Sequence, residues 1–298
     1  MTFQQLQYVL EVYRAGSVSA AAKKLFVGQP SISLSISSLE KELGYPVFHR
    51  LKNGVIPTPR GREVINQAAR ICESYRIITG PEQAGPTKIC IGGGNIECCR
   101  RPALQLIEEN LDRTDVYFQF ADTGRLSSLQ QVALFEMDLF IKFAFAQQMH
   151  ILQAQFREME LQWIELAEFP FAIHLGPGHR LYHEAQVDLS MLENDFLIDT
   201  QRKAMATSSI VNSVIRVRAD RVLAVEDAQL RSRLLENGLG YTAQPVMPYE
   251  TRHLRRIPLG NLRSKLLAIY NPARPMRPEV ARYIELLRQE LDSWNQKT

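Results

Sequence analysis

Long apolar runs are missing from this chain. No stretch approaches the roughly 18–20 residues that cross a bilayer, so a membrane-spanning protein is not expected. Cysteine is scarce. The four present, Cys72, Cys90, Cys98 and Cys99, form no C-x-x-C pair and no His-Cys cluster at metal-ligand spacing. That argues against a disulfide framework and a zinc site, and free thiols are expected in a reducing compartment. Catalytic signatures are missing too: there is no G-x-S-x-G, H-E-x-x-H or phosphate loop. Gly92-Gly93-Gly94 does not continue into a dinucleotide fingerprint, and the six histidines are scattered. An enzyme, a metal centre and a bound cofactor are therefore not expected. The opening MTFQQLQYVLEVYRAG has no basic leader region and carries three glutamines. It reads as the first element of a cytoplasmic protein, not as a signal peptide.

What is present is an ordinary globular composition, 45% hydrophobic and 22% charged over 298 residues, enough for two domains. The charge is unevenly placed. Residues 1–70 hold nine Lys/Arg against four acids, while the remainder holds 26 basic and 28 acidic residues. A basic module on a near-neutral body points to a polyanionic partner for the module alone.

Within that module, Thr2 is placed to cap a first helix with Phe3, Leu6, Val9, Leu10 and Tyr13 at helical spacing, ended by Gly16. Ser19 is expected to cap a second, Ala20–Leu25, followed by a tight turn at 26–28. The next stretch, SISLSIS at 31–37, alternates like a strand. A longer register decides otherwise: Ile32, Ile36, Leu39 and Leu43 are spaced 4, 3 and 4, Pro30 stands in a first turn, and Gly44 closes the segment. It is read as a helix. Short strands at Val47–Arg50 and Val55–Ile56 flank Asn53-Gly54, a strong hairpin signal. Thr58 and Pro59 open a long helix to about Ile78, and a linker is expected near 79–87.

Beyond the linker the pattern is βαβαβ. Strands are expected at Lys88–Gly92, Val116–Ala121 and Leu139–Phe143. Between them come helices presenting Leu104, Ile107 and Leu111, then Leu126, Leu129, Val132 and Leu134. Further strands are expected at Phe171–Leu175, Phe196–Ile198, Ile215–Val217, Leu239–Thr242 and Lys265–Tyr270, with helices at 227–236 and Glu279–Trp294.

Two helices joined by a short turn, with a third helix before them and a basic hairpin behind, are the parts of a winged helix-turn-helix. The matching residues include Ala21, Ala22, Leu25, Gln29-Pro30-Ser31, Ser33, Ile36, Leu39, Glu40, Leu43, Gly44, Phe48, Arg50, Pro57-Thr58 and Gly61. On these, the first quarter resembles the DNA-binding domain of the LysR-type transcriptional regulators. Asp138-Leu139-Phe140-Ile141 and Glu236-Asn237-Gly238-Leu239-Gly240 resemble segments of the same family's second half.

The resemblance implies an α+β fold overall: an N-terminal winged helix-turn-helix (1–58), a linker and dimerisation helix with hinge (59–87), and a two-lobed α/β effector domain (88–298). The effector domain would resemble periplasmic binding proteins, with lobe I at about 88–162 and 266–298 and lobe II at about 163–265. It implies a homodimer paired through the helix at 59–78, where Val64, Ala68, Ile71, Tyr75 and Ile78 form a coiled-coil-like seam, and assembly to a tetramer in many members. The expected partners are double-stranded DNA, a small-molecule effector and, for an activator, RNA polymerase, with no membrane. An enzyme carrying a DNA module and a transport solute-binding protein are the rival classes.

For DNA, Gln29, Pro30, Ser31, Ser33, Leu34 and Ser37 are the expected groove residues, with Lys23, Lys24, Arg50 and Lys52 on phosphates. Serines and Leu34 stand where the family often has long polar readers, and Leu34 either meets a thymine methyl or packs on the wing. The effector residues expected at strand ends are Gly94, Asn95, Ile96 and Glu97, then Thr123, Gly124 and Arg125, then Lys142 and Phe143, and across the lobes Thr200 and Arg202. Lys142 is either a solvated strand end or a donor to an anionic effector. The adjacent Cys98-Cys99 reads as two small half-buried residues at a helix start, with a thiol-based redox response as the alternative.

Overall fold

The computed structural model of the chain describes residues 1–79, 87–93, 96–120, 127–199, 221–225, 227–247 and 253–295. Helix α1 (Phe3–Ala15) starts in a reciprocal cap, in which the Gln5 N–H donates to the Thr2 hydroxyl and the Thr2 N–H to the Gln5 side chain. Gly16 closes it in the left-handed region at φ 76°. Helix α2 (Val18–Leu25) is capped by Ser17, not Ser19. Ser17 is the first extended residue after Gly16, so the new helix begins one residue later and Ser19 lies inside its first turn.

Helix α3 (Gln29–Leu43) buries Ile32, Ile36 and Leu39 to 4% exposure or less. The helical register therefore prevails over the alternation of 31–37. Each of these side chains contributes roughly 1.5–3 kcal/mol of burial, more than the small cost of the serines between them. Strands β1 (Phe48–Leu51) and β2 (Gly54–Pro57) form the wing, with Leu51 opposite Gly54. The Glu40 carboxylate accepts from the N–H groups of Val47 and Phe48 at 2.7 and 3.1 Å, which ties α3 to the wing. Helix α4 (Pro59–Thr79) follows, its Gly61 N–H donating to the Thr58 hydroxyl at 2.8 Å. A side chain at Gly61 would place its Cβ 1.9 Å from the Val47 carbonyl, so only glycine lets α4 lie on the wing.

The C-terminal domain runs β3 (Thr87–Gly92), α5 (Glu97–Glu108), β4 (Val116–Phe120), α6 (Ser128–Ala133), β5 (Leu139–Phe145), α7 (Met149–Glu158) and β6 (Gln162–Leu175). It continues with β7 (Leu197–Asp199), β8 (Val222–Ala224), α8 (Ala228–Glu236), β9 (Tyr241–Pro245), β10 (Arg255–Tyr270) and α9 (Pro278–Asn295). These strands make one eight-stranded sheet in the order β4-β3-β5-β10-β6-β9-β7-β8. β3 pairs in parallel with β4 and β5, and β7 with β8 and β9, as βαβ units require. β6 and β10 run antiparallel from Gln162–Tyr270 to Leu175–Arg255. They are the two crossovers, and they knit both halves into a single sheet.

The short strands expected at Phe171–Leu175 and Lys265–Tyr270 are thus the ends of long ones. Pro170 sits where the β10 register shifts between Pro258 and Arg263, so its missing N–H breaks no regular ladder. The strand expected from Leu239 begins at Tyr241, after Gly238 turns at φ 71°. The one expected at Ile215–Val217 lies outside the described residues.

Two apolar faces differ from expectation. On α5 Cys98, Cys99, Pro102 and Leu106 are buried, whereas Leu104 and Ile107 are exposed and Leu111 lies beyond the helix and is also exposed. The seam on α4 is divided: Ala68 is fully buried in the core of the N-terminal unit, and Ile71, Tyr75 and Ile78 are exposed. The first part packs at home. The second is left open, apart from a 4.5 Å contact between the Tyr75 and Phe3 rings.

Candidate nucleic-acid interface and effector region

The exposed face of α3 lies opposite its buried stripe. Gln29, Pro30, Ser31, Leu34, Ser37 and Lys41 are exposed, and Ser33 is half-buried at the edge. Leu34 is 72% exposed, so the wing does not cover it. The α3 N-terminus carries no side-chain cap; Pro30 has no N–H and the Ser31 N–H donates to the Gly28 carbonyl at 3.1 Å, so the positive end of the helix favours a nearby anion chiefly through its dipole. Short side chains along this face let the backbone approach a groove closely.

One residue escaped the sequence reading. Phe26, at the end of α2, is 96% exposed and holds φ 55°. A left-handed backbone costs an aromatic residue on the order of 1–2 kcal/mol, and folding recovers nothing from a ring left in water. Its signal in the sequence was a large aromatic where Asn or Gly is usual.

The basic charge of the N-terminal unit divides into two sets. Arg14, Arg62 and Arg70 pair with Glu136, Glu158 and Glu160 of the C-terminal domain. Lys24 neutralises the buried Glu11 at 2.7 Å, which limits it as a phosphate contact, and Arg60 lies over the Tyr45 ring. Lys23, Lys41, Arg50 and Lys52 remain exposed near α3 and the wing. Part of the surplus that pointed to a polyanion is therefore spent on holding the two domains together.

In the effector region only part of the expected set is described. Gly94, Asn95, Thr123, Gly124, Arg125, Thr200 and Arg202 lie outside the described residues, as does the Glu97 side chain. Ile96 precedes α5, and its N–H donates to the Gly93 carbonyl at 3.0 Å. Gly93, at φ 90°, packs against β5 so closely that a Cβ would stand 2.3 Å from the Ile141 carbonyl. The β3–α5 turn is thereby pressed against the strand that carries Lys142. Phe143 faces the core and meets Phe169 edge-on at 6.0 Å. Lys142 is half-buried in a central strand, opposite Leu267, and burial lowers its pKa. No carboxylate reaches it among the described residues. Among those residues, no group of three or more His, Cys, Asp or Glu is placed to hold a metal ion, and no helix is long and apolar enough to cross a membrane.

Two family models match the chain: "Bacterial regulatory helix-turn-helix protein, lysR family" over residues 3–62, and "LysR substrate binding domain" over residues 148–292. The chain belongs to the LysR-type transcriptional regulators. Among curated LysR-type relatives, it is 40% identical over 74 residues to an uncharacterized HTH-type transcriptional regulator, YcgK, of Bacillus subtilis (strain 168), covering 25% of this chain and 23% of that one. It is 40% identical over 73 residues to the HTH-type transcriptional regulator TcbR of Pseudomonas sp. (strain P51), covering 24% and 25%. The match thus spans about a quarter of the length of these curated relatives. A full-length OxyR variant from Pseudomonas aeruginosa superposes with a TM-score of 0.60 at 19% identity, over 97% of both chains. That likeness establishes the LysR-type fold.

Proposed function

We propose that this LysR-type chain binds double-stranded DNA sequence-specifically through α3 and its wing, and that a small-molecule effector bound to the C-terminal domain controls it. The observation that carries the reading is the two-faced α3: a buried Ile32/Ile36/Leu39 stripe and an exposed Gln29/Leu34/Ser37/Lys41 stripe. Gln29 is the base reader, pairing with adenine in bidentate fashion, and Leu34 and Phe26 supply apolar contacts of the kind a thymine methyl accepts. Pro30, Ser31, Ser33 and Ser37 line the close approach. Lys23, Arg50 and Lys52 engage phosphates, whereas Lys24, held by Glu11, contributes less.

The effector is an anion. Lys142 is half-buried with no carboxylate beside it among the described residues, on the strand against which Gly93 packs. Gly94, Asn95, Ile96, Glu97, Thr123, Gly124, Arg125, Phe143, Thr200 and Arg202 are the other residues expected from the sequence to serve the effector. The protein acts as a dimer through the exposed part of the α4 seam, Ile71, Tyr75 and Ile78, with tetramer assembly and RNA polymerase contact as further steps. Cys98 and Cys99 are each 1% exposed, and Tyr283 donates to the Cys99 carbonyl at 3.2 Å, which favours packing over a redox response. Footprinting the DNA just upstream of the protein's own gene, with and without small organic anions, tests the reading. A protected site that shifts with one anion supports it, and no protection beyond that of random DNA overturns it.

A further inference from the structure

Besides the chain that connects them, the two domains are docked. Leu134, which follows α6, is 3% exposed and belongs to the same core as Leu6, Val9 and Ile65 of the N-terminal unit. The Gln130 side chain donates to the Tyr13 hydroxyl at 2.8 Å, and Arg14 donates to the Leu134 carbonyl. The pairs of Arg14, Arg62 and Arg70 with Glu136, Glu158 and Glu160 are all partly exposed, and such pairs hold weakly.

One pair runs with the opposite polarity and is buried. Glu73 of α4 is 7% exposed at its side chain, and Arg274, just after β10, is 12% exposed. Arg274 donates through Nε and Nη2 to the two Glu73 oxygens at 2.7 and 2.9 Å. The same guanidinium donates through Nη1 to Asp138 at 2.6 Å and through Nη2 to the Phe135 carbonyl at 2.8 Å. Asp138 in turn accepts from the Cys90 N–H of β3 at 2.8 Å and stands immediately before β5. Phe135, held at φ 59°, lies under the Arg274 guanidinium at 5.1 Å.

We propose that residues 134–138, clamped by Arg274 onto Glu73, form a latch that sets the orientation of the winged helix-turn-helix on the C-terminal domain. One cation ties the linker helix to the root of β5, the strand that carries Lys142 four residues on. A displacement of β5 against β10 cannot keep both the Asp138 and the Glu73 contacts: losing one leaves Glu73 to Arg76 alone, at 2.8 and 3.1 Å, and losing the other leaves Asp138 to the Cys90 N–H and to Arg277 at 3.5 Å, so either break takes a cation from a buried carboxylate. The latch is therefore a two-position element: closed with the domains docked, open with α4 released. A cavity of about 430 Å³ runs along the same seam, between Tyr13, Arg62 and Asn66 on one side and Gln130, Leu134 and Met159 on the other, so the contact is not packed solid. The latch rests on the proposed effector reading only for what moves β5; the docking and its test stand apart from it.

The test uses the full chain in solution, without DNA or effector. Glu73→Gln removes the linker-helix side and leaves Arg274 its Asp138 and Phe135 contacts, and Arg274→Gln removes the centre. X-ray scattering should show a larger radius of gyration for each variant. Calorimetry should show one thermal transition for the parent and two for each variant, with far-UV circular dichroism unchanged. The double variant should match the single ones, because the two residues act as one contact. If Arg274→Gln does not fold, Glu73→Gln decides alone. A parental radius of gyration and a single transition in Glu73→Gln overturn the latch. If the parent chain protects no DNA in the footprinting while the scattering result is as expected, the DNA reading falls and the latch stands.

Discussion

Arg274 holds Glu73 with two parallel N–H donors, at 2.7 and 2.9 Å, across a chain separation of 201 residues. This contact joins the linker helix to the sheet domain, and its charge state is set by its surroundings. Burial pushes the Glu73 carboxyl up. The hydrogen bonds and charges of Arg76 and Arg274 outweigh that and hold its pKa at about 2.

The sign of the resulting pH dependence follows. A carboxyl whose folded pKa lies below its unfolded value contributes stability above the unfolded value, near 4.5, and loses it as pH falls through about 2. The full contribution is on the order of 3 kcal/mol. Acid titration of the full chain, followed by thermal melts, should show a steep loss over this window, and Glu73→Gln should flatten it.

His174 gives a second window. It is fully buried on β6, in register with Arg256 of β10 and Thr242 of β9. Burial, and then the Arg256 charge, drop its pKa to about 4. Its Nε2 and the Thr242 hydroxyl have no hydrogen-bond partner. The folded domain keeps this imidazole neutral while the unfolded chain takes up a proton below about 6.5. The stabilisation is complete above that pH and falls as pH drops toward 4, by about 3 kcal/mol in the limit. Melts of the parent should weaken across pH 6.5 to 4, and His174→Gln should remove that slope. An unchanged slope would place its origin elsewhere.

Phe26 separates stability from function. Phe26→Asn relieves a left-handed aromatic that buries nothing, so the N-terminal unit should gain up to ~1 kcal/mol. DNA affinity should fall in the same variant. A residue kept for folding would show the opposite: lower stability with binding intact. Chemical denaturation and a binding titration on one preparation distinguish the two.

The legible parts were those with a local cause. Gly16 and Gly44 end helices because the left-handed backbone there suits glycine, and Asn53-Gly54 closes the wing because a tight hairpin requires it. The 4-3-4 register of Ile32, Ile36, Leu39 and Leu43 outlasted the alternation of 31–37 for the same reason, a continuous face against a core. What was missed depends on partners distant in the chain. The first half of β6 has no clean period, since its pairing with β10 decides its faces. Leu104 was expected to be buried, yet the α5 face that packs on α9 is set by Cys98, Cys99 and Leu106. The arginines of residues 1–70 read as one DNA-directed surplus, because nothing local shows that Arg14, Arg62 and Arg70 face glutamates more than 80 residues away. Of the candidate site, the exposure of Gln29, Pro30, Ser31, Leu34 and Ser37 on α3 follows from its helical register, whereas Lys41 carries no local signal that sets it apart and Phe26 only that of an aromatic in a turn. Of the effector set, the side chains of Ile96, Lys142 and Phe143 lie among the described residues.

The most direct test of the central claim compares Gln29→Ala and Lys52→Ala on the footprinted site and on random DNA, across a range of salt. Base reading by Gln29 predicts a loss of affinity for the cognate site greater than for random DNA. Phosphate contact by Lys52 predicts equal losses on both and a salt slope shallower by about one. Equal losses for Gln29→Ala on the two DNAs would contradict α3 as the reader of sequence.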